Sequence, residues 1–142
     1  IHHSEYLNKL INENKFNFNY EIFKGKKLTY HDPCYLGRMN NIYNSPRNII
    51  KKINPQLVEM KRNKANALCC GAGGGQMFKE AEKGDKEVFI ERIEDAIETK
   101  SYIVVTACPF CMTMMTDGIK YKNMEENMKN YDIAELISMS LE

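Results

Sequence analysis

Tryptophan is missing altogether, and so is any apolar run near the roughly 18 residues that a membrane-spanning helix requires. Nothing in the 142 residues has the basic, apolar and small-residue order of a secretory signal peptide. Charge imbalance is missing too: a net charge of +1 leaves no electrostatic footprint for nucleic acid or for an anionic membrane surface. No Gly-Lys-Ser/Thr follows the glycines, and Gly71-x-Gly73-x-x-Gln76 lacks the third glycine of a dinucleotide fingerprint. Nucleic-acid binding, nucleotide binding and a membrane segment within this chain are thereby set aside. The lack of tryptophan and the nine methionines separate no functional classes. An initiating methionine is also lacking. The chain opens inside the helix-like stretch His3-Ser4-Glu5-Tyr6-Leu7, and we expect it to be a piece of a longer protein.

What is present belongs to a globular domain: 43% apolar and 27% charged residues, in a chain long enough to bury a core. We expect one domain over residues 1–142, with an N-terminal helix and lead-in over 1–26 and a core over 27–142. Five cysteines occur, an odd number, and two of them form Cys108-Pro109-Phe110-Cys111. A disulfide framework would leave one thiol over and would need an oxidising compartment. The expectation is metal-binding thiols in a reducing, cytoplasmic setting, either free or on the cytoplasmic face of a membrane through segments of a parent protein.

Periodicity supplies the fold class. Tyr6, Leu7, Leu10 and Ile11 predict an amphipathic helix over 1–14, followed by a loop with aromatic anchors and a break at Gly25. His2 and His3 read as polar residues at an exposed helix start rather than ligands. Lys27 to His31 predicts a strand stopped by Asp32-Pro33, with Cys34 on the loop beyond it. Ser45-Pro46 has helix-start chemistry, Ile49, Ile50 and Ile53 give that helix its stripe, and Asn54-Pro55 ends it. Leu57 to Met60 predicts a second strand, Lys61 to Lys64 a solvated turn, and Ala65 to Leu68 a short strand delivering Cys69-Cys70. A helix start is expected over Gln76 to Glu80, interrupted at Gly84. The clearest helix spans 85–100, with Val88, Phe89, Ile93, Ala96 and Ile97 on one face. Tyr102 to Thr106 reads as a strand buried on both faces of a parallel sheet, ending just before Cys108. A helix over Met112 to Ile119, an edge strand or helix lead-in at Tyr131 to Ile133, and a closing helix over Ala134 to Leu141 complete the chain. Alternation of strands and helices predicts an α/β fold: a small, mostly parallel sheet flanked by helices. The cysteines then lie on loops at the carboxyl ends of strands, where such sheets bind ligands.

Every cysteine belongs to one arrangement: Cys34, then Cys69-Cys70 leading into Gly71, Gly73, Gly74 and Gly75, then Cys108 and Cys111. Zinc wants four donors in a closed tetrahedron, for which Cys69-Cys70 is a poor pair, because successive side chains on an extended backbone point apart. An iron–sulfur cluster fits better, since neighbouring thiolates can reach different irons and the glycines let backbone N–H groups approach sulfur. A thioredoxin-like dithiol at Cys108/Cys111 stays open but leaves Cys34, Cys69 and Cys70 unexplained. His31, just before the first cysteine, is the candidate to tune charge or relay a proton, against the plainer reading of a polar strand end. Arg38 either holds charge near the site or faces solvent.

The stretches His31-Asp32-Pro33-Cys34-Tyr35-Leu36-Gly37-Arg38, Cys69-Cys70-Gly71-Ala72-Gly73-Gly74 and Ala107-Cys108-Pro109-Phe110-Cys111 closely resemble the cysteine-rich CCG domain. That domain occurs in heterodisulfide reductase subunits and related iron–sulfur oxidoreductases. The similarity runs over roughly residues 1 to 139, including Asp132-Ile133-Ala134-Glu135-Leu136. It implies an iron–sulfur domain of an oxidoreductase, mediating electron transfer or reduction of a disulfide or quinone. It implies Cys34, Cys69, Cys70, Cys108 and Cys111 as ligands of a 4Fe-4S cluster, of the non-cubane kind in heterodisulfide reductase, with zinc in other copies of the domain. It further implies a carboxy-terminal fragment whose parent carries a ferredoxin-like cluster domain, a second CCG domain and, as electron donor, a flavoprotein. A zinc-stabilised assembly module and a metal-free dithiol oxidoreductase are the alternatives.

Overall fold

A computed structural model of the protein describes residues 1–81 and 83–142. Three parallel strands, β1 (Leu28–Tyr30), β2 (Ile103–Thr106) and β3 (Lys129–Asp132), form a sheet in that order. Among the described residues, five helices surround it: α1 (His3–Asn12), α2 (Asn44–Ile53), α3 (Val88–Glu98), α4 (Pro109–Tyr121) and α5 (Ile133–Ser140). The architecture is the expected α/β one. No described helix is long and apolar enough to cross a membrane.

The central strand explains its own composition. Ile103 and Val105 point into an apolar cluster with Leu28, Tyr30, Ile49, Ile50, Ile133 and Leu136. Val104, between them, points into the opposite cluster with Met60, Ile93, Ala96, Met115 and Met128. Alternation of side chains along a strand buries both faces, so an unbroken β-branched run is required. Cys70 and Cys111 belong to the second cluster, at its margin with the candidate site.

Helix ends follow local chemistry. Glu5 accepts the His2 N–H at 3.0 Å while the His2 ring accepts the Ser4 N–H at 3.2 Å. The Asp132 carboxylate accepts the Ala134 N–H, and Glu135 reaches back to the Asp132 N–H, both at 2.8 Å. These reciprocal caps satisfy amides that the first helical turn leaves free. Pro109 opens α4, where a missing N–H costs nothing.

Several expectations need correction. Leu57 to Met60 is not a strand: Leu57 makes a single parallel bridge to Leu28, and the chain then leaves the sheet edge. Ala65 to Leu68 is not a strand either; a single 3-10 turn, Lys64–Asn66, precedes an irregular approach to Cys69. The turn at residues 61–64 is tied down rather than simply solvated. Arg62 clasps Asp95 of α3 at 2.7 and 2.8 Å, and the Lys64 N–H donates to Asp32 at 2.8 Å. Helix α2 begins at Asn44 without a side-chain cap, so Ser45 lies inside it. The helix expected from Gln76 is a 3-10 turn, Gly73–Phe78, and its continuation at Glu82 lies outside the described residues. Val88 is exposed, and Arg92 and Asp95 of α3 are buried with Ile90, Ile93 and Ala96.

Candidate metal centre

Three separate segments bring the cysteines to one end of the sheet. After β1, the His31 N–H donates to the Val105 carbonyl at 3.0 Å, keeping the chain beside β2 for one residue more. The loop then turns through Pro33 to Cys34. Gly37 closes that turn, since a Cβ there would meet the Tyr43 ring at 2.8 Å. After β2, Cys108 stands at the start of α4 and Cys111 in its first turn, three residues apart on one helical face.

Cys69 and Cys70 follow no strand. The awkwardness of adjacent cysteines is relieved by Gly71, whose φ of +93° turns the chain sharply and lets its N–H donate to the Cys69 sulfur at 3.4 Å. Gly74 and Gly75 also have positive φ, and nothing lies within 4 Å of where their Cβ atoms would stand. Side chains there would strain the backbone, and the open space leaves it accessible.

All five cysteines line a single cavity of about 530 Å³, together with Gly73, Gly74 and Gly75. Cys70 and Cys111 are buried at its floor, Cys69 and Cys108 are half-buried, and Cys34 is exposed. One nitrogen of His31 and the sulfurs of Cys70 and Cys111 lie within 4.8 Å of one another. Thiols this close share charge unevenly. Interaction with Cys111, then burial opposing it, sets Cys108 at about 6. Interaction with Cys111 and Cys69 holds Cys70 far below the usual thiol range, while Cys69 and Cys111 are pushed up as the proton-bearing partners. Such a set gathers negative charge that a metal or cluster would neutralise.

His31 is wholly buried, and burial lowers its pKa. Its Nδ1 accepts a hydrogen bond from Arg92 Nε at 2.9 Å, whereas Nε2 is buried without a partner among the described residues. Its neighbour Asp32 faces the other way, into the buried guanidinium of Arg47. Arg38 is exposed and does not line the cavity. His2 and His3 do line it, although His2 also caps α1. Reading them as helix-start residues misses this, because only the docking of α1 brings them to the cavity. Arg92 is a further site residue that sequence reasoning misses. The available signal was a charged pair, Arg92 and Asp95, flanking Ile93 and Ala96 on the buried side of α3.

Comparison with known proteins agrees with the geometry. The chain is 40% identical over 141 residues to the "Probable iron-sulfur-binding oxidoreductase FadF" of Bacillus subtilis (strain 168), covering 99% of this chain and 20% of that protein. It is 40% identical over 147 residues to the EtfAB:quinone oxidoreductase of Syntrophomonas wolfei, with the same coverage, 99% and 20%. Against a subunit of the dihydromethanophenazine:CoB–CoM heterodisulfide reductase of Methanosarcina barkeri, identity is 38% over 144 residues, covering 99% of this chain and 34% of that protein. The chain thus spans only a fifth to a third of the length of these relatives. The model of the CCG cysteine-rich domain matches residues 28–116, from β1 through the first half of α4 and across all five cysteines. The chain belongs to the CCG cysteine-rich domain family.

Proposed function

We propose that this chain is the iron–sulfur-cluster-binding domain of a larger oxidoreductase, and that it mediates electron transfer or the reduction of a disulfide- or quinone-type acceptor. The observation that carries the reading is the convergence of all five thiols on one cavity. Cys34, Cys69, Cys70, Cys108 and Cys111 would hold a 4Fe-4S cluster, and the double cysteine makes the non-cubane form the better match. The residues suit such a group: the thiols outnumber the four donors of a zinc site, and backbone at Gly74 and Gly75 stands open beside them. When bound, the cluster supplies one-electron redox chemistry. The chain's own contribution is to fix the thiolates on three segments, two following strands and one tied down through Arg62 and Lys64, to keep Cys70 and Cys111 from water, and to leave Cys34 at the mouth. Gly71, Gly73, Gly74 and Gly75 would offer backbone N–H groups to sulfur, and His31, the proton-relay candidate of the sequence, lies buried with a ring nitrogen within 4.8 Å of the Cys70 and Cys111 sulfurs.

The names of the relatives support the wider setting. One is an iron–sulfur-binding oxidoreductase, one a quinone oxidoreductase, and one belongs to a heterodisulfide reductase. A parent with a ferredoxin-like cluster domain, a second CCG domain and a flavoprotein donor accords with the small share of each relative that the chain covers. A place in the cytoplasm or on the cytoplasmic face of a membrane accords with the thiol chemistry. One observation favours a second reading: His31, Cys70 and Cys111 crowd within 4.8 Å, a spacing that suits a single zinc ion. Anaerobically prepared protein decides between them. Iron, acid-labile sulfide and absorption at about 400 nm are expected for the cluster. A colourless protein with one zinc would overturn it.

A further inference from the structure

We propose that Arg92 and His31 form a fixed N–H donor behind the candidate centre, Arg92 orienting the ring so that His31 Nε2–H hydrogen-bonds the sulfur of Cys70 or Cys111. This inference rests on the iron–sulfur reading above and assigns His31 a role other than metal ligand or proton relay. Arg92 is a positioning residue, acting through His31.

The tautomer follows from which atoms can donate. A guanidinium Nε–H only donates, and arginine keeps its charge in proteins. Arg92 Nε lies 2.9 Å from His31 Nδ1, so Nδ1 presents its lone pair and the neutral ring carries its single proton on Nε2. Arg92 cannot easily turn away. It is fully buried, and its Nη1 donates to the Arg62 carbonyl at 2.7 Å and to Asp95 at 3.2 Å. Asp95 is itself clasped by Arg62 at 2.7 and 2.8 Å, so the guanidinium sits in a braced frame.

One nitrogen of the ring lies within 4.8 Å of the Cys70 and Cys111 sulfurs. Nε2 is buried and has no hydrogen-bond partner among the described residues, and the sulfurs of Cys70 and Cys111 are the acceptors crowded against the ring. A buried N–H is stable when an acceptor meets it, and a thiolate that also binds iron is a strong one. A proton relay would need an entrance as well as an exit. Here Nδ1 is capped by a cation's N–H, and the ring is out of reach of solvent. Hydrogen bonds to cluster or ligand sulfur stabilise the more electron-rich state, so this donor raises the reduction potential.

The test is redox potentiometry, followed by electron paramagnetic resonance, on anaerobically prepared protein. His31→Leu is expected to lower the equilibrium constant for reduction about tenfold, about 59 mV for a one-electron couple. His31→Gln, whose amide N–H extends towards the same sulfurs, is expected to restore most of it. Arg92→Met is expected to fall between, because the released ring populates both tautomers. In protein labelled with nitrogen-15 in histidine, the His31 ring is expected to show a protonated Nε2 and a bare Nδ1, a preference lost in Arg92→Met. A fully iron-loaded His31→Leu whose reduction constant stays within about twofold of the parent overturns the inference and leaves the cluster reading standing. A protonated Nδ1 in the parent protein overturns it equally, and that measurement decides the matter if His31→Leu does not fold. Protein that never holds iron sinks the cluster reading and this inference with it.

Discussion

Asparagine in place of Asp32 removes one charge from a buried ion pair of the domain. Asp32 Oδ1 and Oδ2 accept from Arg47 Nη1 and Nη2 at 2.7 and 2.8 Å, and Oδ2 also accepts the Lys64 N–H at 2.8 Å. The side chains of Arg47 and Asp32 are 5% and 3% exposed. Breaking a buried pair from one side costs about 3–5 kcal/mol, because the abandoned charge stays desolvated. Arg47 retains Glu59, which accepts from its Nε and Nη2 at 2.7 and 2.9 Å and is itself 35% exposed. That residual partner puts the expected loss near the lower end, about 3 kcal/mol. Asparagine keeps one carbonyl oxygen, which leaves an N–H group facing the Arg47 or Lys64 donor. At about 3–4 °C per kcal/mol for a domain of this size, Asp32→Asn is expected to melt about 10 °C lower. The assay is urea unfolding, where the midpoint falls at constant slope. Glu59→Gln is the control: its partly exposed bond is expected to cost no more than about 1 kcal/mol. Adding Arg47→Met to Asp32→Asn is expected to cost less than the two changes summed. If Asp32→Asn alone costs under about 1 kcal/mol, the buried pair is not what ties the Cys34 loop to α2 and to the segment leading to Cys69.

Three shorter expectations concern other parts of the fold. Gly118→Ala would place a Cβ 2.9 Å from Ile93 Cβ, where α4 crosses α3, and a branched Cβ cannot step aside. Overpacking of about 1–3 kcal/mol outweighs the roughly 1 kcal/mol that alanine adds to helix propensity, so net destabilisation is expected, and a variant as stable as the parent refutes the close crossing. Glu94 lies between Lys122 and Lys86, each at 2.6 Å, and Lys122 first and Lys86 second hold its pKa at about 2 instead of 4.5. A depressed carboxylate pKa adds stability above the unfolded value and loses it as pH falls through the folded one. The stability gap between parent and Glu94→Gln is therefore expected to close between pH 4.5 and about 2, and a gap unchanged by urea unfolding at the acid end refutes the clasp. In metal-free protein, the Cys108 thiol, drawn down to about 6 chiefly by Cys111, is expected to alkylate with iodoacetamide at a rate already level above about pH 7. Peptide mapping that shows its rate still climbing steeply between about pH 8 and 9 contradicts this.

Much of the fold was legible because its causes lie close together along the chain. The β-branched run at 103–106, the isoleucine stripe of α2 and the closing helix α5 each need only neighbouring residues to be read. The five cysteines, by their number and glycine-rich setting, pointed to one inorganic centre, and the docking of three separate segments brings them to one cavity. Failures fell where local pattern and tertiary pairing disagreed. Leu57 to Met60 has strand-like side chains, yet its backbone leaves the β1 edge after one bridge. Arg92 was not singled out on the helix expected over 85–100, and it is fully buried, held by Asp95, the Arg62 carbonyl and His31.

Periodicity and cysteine spacing follow from the amino-acid order, which alone was enough to read them, whereas the helix caps at His2 and Asp132 were not read from it. Partner choice in the buried polar network was decided only by packing. Arg47 and Asp32 are 15 residues apart, Arg62 and Asp95 are 33, and Arg92 and His31 are 61. No local rule links such residues. A buried charge accepts whichever opposite group the folded chain carries within about 3 Å of it, and that proximity exists only once helices and sheet have docked.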